Sequence, residues 1–243
     1  MTQIVRTSTS ADYTASIGAG VAALLRGGDI VLLEGDLGAG KTAFVRGFAQ
    51  ALGVGPGLVS SPTFVVINEY PLGRGVRGIL RLVHVDAYRL HSSDDLDAAG
   101  WDRSVDPAGS ARPDRVIIVE WPARISGAFG ASPDSLRIRL ANLGDSTRRL
   151  DISLPQSFTK RPLATEFIER EPTRCPISGA WVEPTRTTYP FAGEREKLAD
   201  LNRWFSGAYR IGRQATDADY DAAPREGIPS PDPDRASHDE KEN

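Results

Sequence analysis

The sequence predicts an α/β fold, and three observations carry that expectation. Ile30-Val31-Leu32-Leu33 and Val116-Ile117-Ile118-Val119 each hold four apolar residues in a row, the pattern of strands buried on both faces of a parallel sheet. Phe44, Phe48 and Leu52 recur at four-residue intervals, the stripe of a helix packed on such a sheet. A glycine-rich segment, GDLGAGKT, joins the first of these strands to that helix.

The remaining elements follow in order. Ile4–Val5 suits an edge strand. Ser10 or Asp12 caps a helix over about 13–26, with Ile17, Val21, Leu24 and Leu25 on one face. Gly53 ends the second helix. Residues 54–62 form a Gly/Pro/Ser loop, and Thr63–Tyr70 and Ile79–Val85 read as a hairpin turned by PLGRGVRG. A short helix is expected around Asp94–Ala99. Leu136–Leu140 and Leu150–Leu154 alternate as an exposed antiparallel pair would. The main domain is thus expected over 1–156. An extension over 157–213 carries one amphipathic helix at about Glu194–Tyr209, where packing back on the same domain, or only marginal order, is favoured over docking to a partner through Leu198, Leu201 and Phe205. Residues 214–243 read as a disordered acidic tail, since 217–243 hold 3 Lys+Arg against 9 Asp+Glu.

Composition narrows the function classes. Across 243 residues, 40% are apolar and 25% charged, which excludes wholesale disorder. No apolar run nears the roughly 20 residues of a membrane span. The opening MTQIVRTSTS lacks a secretory pattern, so a cytoplasmic location and no membrane association are expected. The single Cys175 forms no internal disulfide, and three scattered histidines offer no metal-ligand spacing. Residues 1–159 balance 16 Lys+Arg against 16 Asp+Glu, without the basic surplus of a protein that grips nucleic acid unaided.

Gly35-Asp36-Leu37-Gly38-Ala39-Gly40-Lys41-Thr42 matches G-x-x-x-x-G-K-[ST], the P-loop spacing. Glycines let successive N–H groups point inward as an anion cradle, and the following helix adds its positive end. Lys41 brings a charge to the β and γ oxygens, and the Thr42 hydroxyl can ligate Mg²⁺. Further parts must come from the carboxyl ends of other strands. Two strands end in acids, LVHVD at Asp86 and VIIVE at Glu120. If both run parallel to the P-loop strand, both carboxylates face the metal and the γ-phosphate. Ser61-Pro62-Thr63 could sense that phosphate or be a simple turn. Arg89 either stabilises transition-state charge or is a surface arginine.

GDLGAGKT, SPTF, HVDAYRL and VEWP occur in this order, and together they resemble the TsaE (YjeE) family, P-loop ATPases of bacterial threonylcarbamoyladenosine synthesis on tRNA. The resemblance covers about residues 1–155. It implies a three-layer P-loop NTPase fold with a mixed, mainly parallel sheet, and action with TsaD and TsaB, reaching tRNA through that complex. It places Asp36, Leu37, Gly38, Ala39, Gly40, Lys41 and Thr42 on the phosphates of ATP, and Thr42 with Glu120 on Mg²⁺. It makes Lys41, Asp86 and Glu120 the catalytic set, with Thr63 in a switch-like loop and Trp121 as a functionally sensitive residue. Ala43 departs from the family, which often has a second threonine there. The extension beyond 155 has no counterpart in short members.

The expected activity is Mg²⁺-dependent ATP hydrolysis, slow alone and stimulated by partners, because no arginine finger can be assigned. A small-molecule kinase shares the loop, but only Arg112-Pro-Asp-Arg115 could serve as its lid. A GTPase would need an N-K-x-D motif, which is absent from the sequence. A nucleotide-gated binding module is the third alternative.

Overall fold

A computed structural model describes residues 1–59, 66–105, 111–129 and 134–205. Nine strands and six α-helices occur among them: β1 (Thr2–Ser8), α1 (Ala11–Ala23), β2 (Ile30–Gly35), α2 (Lys41–Ala51), β3 (Ile67–Val76), β4 (Ile79–Asp86), α3 (Ser93–Ala98), β5 (Arg115–Glu120), β6 (Leu136–Gly144), β7 (Thr147–Leu154), α4 (Gln156–Thr159), α5 (Ala164–Glu169), β8 (Thr173–Arg174), β9 (Trp181–Val182) and α6 (Glu194–Phe205). Seven strands form one sheet in the order β1-β7-β6-β2-β5-β4-β3. Its centre is parallel, since β2 pairs in parallel with β5 and β6, and β5 with β4. Antiparallel β1–β7, β6–β7 and β3–β4 pairs complete a mixed sheet.

Period-two alternation divides the apolar side chains of the central strands between two layers. Val31, Leu33, Val116, Ile118 and Leu82 pack with Ile17, Val21, Phe44 and Phe48 of α1 and α2. Ile30, Leu32, Val83, Val85, Ile117 and Val119 pack on the other face with Leu96, Trp101 and Ile125. The result is the three-layer α/β architecture that the family resemblance implied. Ser10 caps α1 by accepting from Tyr13 N at 3.1 Å, which selects it over Asp12. α1 and α2 pack closely, because Gly18 and Gly47 sit at their contact.

One expectation needs correction. The β3–β4 turn is shorter than PLGRGVRG: β3 continues to Val76, and Arg77 (φ 53) with Gly78 (φ 82) makes a two-residue hairpin turn. The Pro71-to-Val76 stretch stays in the strand through a register shift. The β6–β7 pair is antiparallel and alternates buried with more exposed residues as expected, and because β6 also pairs with β2 its apolar face, with Leu140, Leu150 and Ile152, lies in the core.

The segment after Leu154 packs on the α1–α2 side. Phe158, Ala164 and Phe167 join that core, and Trp181 stacks on Tyr13 with ring centroids 3.9 Å apart. In α6 no residue is buried, and Leu198 is 57% exposed. Residues 206–209, expected to continue that helix, lie outside the described residues. Met1–Leu201 forms one compact unit, and a second begins at Asn202. Among the described residues no helix is long and apolar enough to cross a membrane.

Candidate nucleotide site

The loop after β2 adopts the conformation its glycines permit. Gly38 (φ 76) and Gly40 (φ 103) occupy the left-handed region, where a side chain would be strained. Gly40 hands the chain to α2, so the first turn of that helix opens beside the loop. Lys41, its first residue, is buried, and its Nζ donates to Gly35 O at 2.8 Å and Asp36 O at 3.0 Å. The same ammonium lies 4.0 Å from the Trp121 ring centroid.

Asp86 and Glu120 end neighbouring parallel strands and are direct register partners. They are 4% and 2% exposed, so two carboxylates lie nearly sealed beside the glycine-rich loop. Leu37, Gly38, Gly40, Lys41, Thr42, Asp86, Tyr88, Glu120 and Trp121 line a cavity of about 290 Å³. Burial pulls the Lys41 ammonium below the usual lysine range, and the nearby charges of Glu120, Asp86 and Asp36 oppose that pull. Trp121 holds a positive φ of 59 immediately after Glu120, and its N–H donates to Leu33 O at 3.2 Å. That bend turns the indole back over Lys41, with Tyr88 against it at 5.1 Å between centroids. Such a backbone costs roughly 1–3 kcal/mol and tends to persist at functional sites.

Most residues expected from sequence are thus brought together. Lys41, Thr42, Asp86 and Glu120 line one cavity with Leu37, Gly38 and Gly40. Asp36 contributes its carbonyl to Lys41 while its side chain is exposed, and the Ala39 methyl packs into the core. Arg89 is exposed. Thr63 lies outside the described residues.

Two residues carry roles that the sequence did not disclose. His84 Nε2 lies 2.9 Å from Glu120 Oε1, with both groups buried, so an ionised Glu120 accepts from an Nε2–H. His84 Nδ1 has no hydrogen-bond partner among the described residues. The available signal was period two, since His84 precedes Asp86 by two positions and shares its face. Tyr88, whose N–H donates to Asp86 Oδ1 at 3.0 Å, is the second.

The donor set suits a magnesium polyphosphate. Among the described residues no group of three or more His, Cys, Asp or Glu is placed to hold a metal ion by itself. One hydroxyl and buried carboxylates beside a glycine-rich loop are the kind of donor set that fits Mg²⁺, which keeps waters and takes phosphate oxygens. The three charged groups, Lys41, Asp86 and Glu120, match that complex in sign as well.

A profile of the family described as "Threonylcarbamoyl adenosine biosynthesis protein TsaE" matches residues 8–150. A protein of Streptomyces coelicolor named "tRNA threonylcarbamoyladenosine biosynthesis protein TsaE" is 39% identical over 154 residues, covering 57% of this chain and 96% of the relative. A Bacillus subtilis protein of the same name is 35% identical over 150 residues, covering 62% of this chain and 85% of the relative. A solved structure, YdiB of Bacillus subtilis, matches with a TM-score of 0.48 at 30% identity, covering 65% of this chain and 89% of that one. Since the family profile spans more than half of the sequence, including the glycine-rich loop and both acid-bearing strand ends, the chain belongs to the TsaE family.

Proposed function

We propose that this protein binds ATP with Mg²⁺ and hydrolyses it slowly in support of threonylcarbamoyladenosine modification of tRNA, in the cytoplasm and together with TsaD and TsaB. The observation that carries the reading is the meeting of Lys41, Asp86 and Glu120 in one cavity at the mouth of the phosphate loop. Loop amides and the Lys41 ammonium would hold the phosphate oxygens, the ammonium exchanging the carbonyls of Gly35 and Asp36 for the triphosphate. Thr42 and Glu120 would hold Mg²⁺, which neutralises phosphate charge when bound. His84 keeps the Glu120 carboxylate in place. Asp86 would orient or deprotonate the attacking water, its carboxylate steadied by the Tyr88 N–H. Trp121, stacked over Lys41, would keep water from the ammonium.

Phosphoryl transfer depends on positioning and electrostatics, and a missing arginine finger costs about 10³–10⁵ in rate. Low intrinsic turnover and stimulation by TsaD–TsaB are therefore expected. The test is phosphate release by the full chain with and without that pair, for wild type and Lys41→Ala. A charged hydrogen bond contributes about 1.5–3 kcal/mol, so Lys41→Ala should weaken ATP binding at least tenfold and abolish stimulated turnover. Rapid hydrolysis by the isolated chain, unchanged by the pair, would overturn the reading.

A further inference from the structure

A second cavity, of about 470 Å³, opens where α1 ends. β2, β4 and β5 all begin beside it and carry Gly35, Asp86 and Glu120 at their other ends, so it lies across the sheet from the nucleotide site. Three segments meet there: the chain leaving α1 at Ala23 to Gly27, the hairpin turn at Arg77, and Arg161-Pro162-Leu163 between α4 and α5. Leu24, Leu25, Pro113, Pro162 and Leu163 give the cleft an apolar lining. Backbone fixes its walls, since a β-carbon at Gly27 would lie 1.7 Å from Pro113 O. Pro162 and Leu163 stand beyond residue 150, where the family match ends, so the extension of this chain builds one wall.

The charges are one-sided. Arg26, Arg77 and Arg161 line the cleft, and among the described residues no acid does. Arg161 is neutralised by its bidentate pair with Asp29. Arg77 is not. Its Nε donates to Leu25 O at 3.0 Å and its Nη2 to Ala22 O at 2.6 Å, which leaves Nη1 without a bond among the described residues. Partial burial draws that guanidinium below the usual arginine range, with no acid beside it to raise it. Arg26 is exposed, and its side chain makes no hydrogen bond or ion pair among the described residues.

Two cations without counter-charge beside an apolar lining call for an anion with an apolar body. We propose that this cleft binds a free aliphatic carboxylate, its headgroup on Arg77 and Arg26 and its chain along Leu24, Leu25 and Leu163. A guanidinium matches a carboxylate with parallel N–H donors, and two carbonyls already hold Arg77 in place. Inorganic phosphate would leave the apolar lining uncovered and most of the volume unfilled.

The test titrates the isotope-labelled full chain with octanoate, hexanoate and octanol, followed by amide NMR. Octanoate should saturate, with shifts concentrated at Leu24, Leu25, Arg77 and Leu163. Hexanoate, shorter by two methylenes, should bind about tenfold more weakly. Octanol, which lacks the charge, should also bind about tenfold more weakly than octanoate. Arg26→Gln removes a side chain that holds nothing in the fold, and it should weaken octanoate about threefold. Arg77→Gln should weaken it about tenfold. Octanol affinity should stay within twofold in both variants, which shows that the cleft itself persists. Equal affinity for octanoate and octanol would overturn the proposal, as would octanoate binding unmoved by Arg26→Gln and Arg77→Gln. Shifts elsewhere on the chain, or none, would overturn it too. An acidic peptide that shifts these amides while octanoate does not would assign the cleft to a protein partner instead.

Discussion

At the scale of single residues, the lysine and two acids are held close before any ligand contributes. Burial makes the charged form of Lys41 less stable in the folded protein than in the unfolded chain, and Glu120, Asp86 and Asp36 offset this only in part. The consequence for stability has a definite sign. Below the folded value both states carry the proton, and the burial penalty is present in full. Between the folded value and about 10.4, where an ordinary lysine titrates, the unfolded chain holds more protons, so stability rises with pH. Relative to Lys41→Met, the ligand-free wild type should therefore gain stability as pH climbs through that window. Urea unfolding of both proteins at a series of alkaline pH values measures it. A flat or falling difference would mean that the acids, not burial, dominate the ammonium.

At the scale of elements, the position of the glycine-rich loop depends on how closely α2 approaches α1. A β-carbon at Gly47 would stand 1.9 Å from Ala15 O, and one at Gly18 would stand 2.3 Å from Phe44 O. Glycine inside a helix ordinarily costs about 1 kcal/mol against alanine, so Gly47→Ala on an isolated helix would stabilise it. Here the sign should reverse. Overpacking costs about 1–3 kcal/mol, and because α2 begins at Lys41, its displacement should also weaken ATP binding. Chemical denaturation and a nucleotide titration of Gly47→Ala check both effects. The elements legible in sequence were those whose own residues decide their state: β2 and β5 by unbroken apolar runs, α2 by its stripe, α1 by Ser10. The hairpin was less legible because β3 runs on past Tyr70 to Val76, pairing with β4 at Pro71 and again at Val76, while the turn falls on Arg77-Gly78. The two acids were legible as strand endings, but the His84–Glu120 bond was not, since it depends on the register of two strands distant in sequence.

At the scale of the whole molecule, the family match ends at residue 150, yet the chain keeps building core beyond it. The sequence suggested an extension from 157 onward, because after Pro155 its regular periodicity stops. What such a reading misses is that short, irregular segments can bury side chains when a larger surface receives them. Phe158 and Phe167 are buried in the α1–α2 core. Arg161 makes a bidentate pair with Asp29, just before β2. Arg6 of β1, itself buried, donates through Nη2 to Phe167 O at 2.9 Å, Ile168 O at 3.2 Å and Arg170 O at 2.8 Å. Losing one buried phenylalanine side chain costs about 3–5 kcal/mol, and domains of this kind hold about 5–15 kcal/mol in all. Deleting 156–243 removes two such side chains and leaves the buried Arg6 guanidinium without its three carbonyls. That truncation should therefore unfold the protein or lower its melting temperature severely, carrying ATP binding with it. Deleting 194–243 removes no buried residue from α6 and should change stability by less than about 1 kcal/mol, as surface changes do. Thermal unfolding of the two truncations beside the full chain decides the matter. Equal stability for both would show that the α1–α2 core closes without the segment after Leu154.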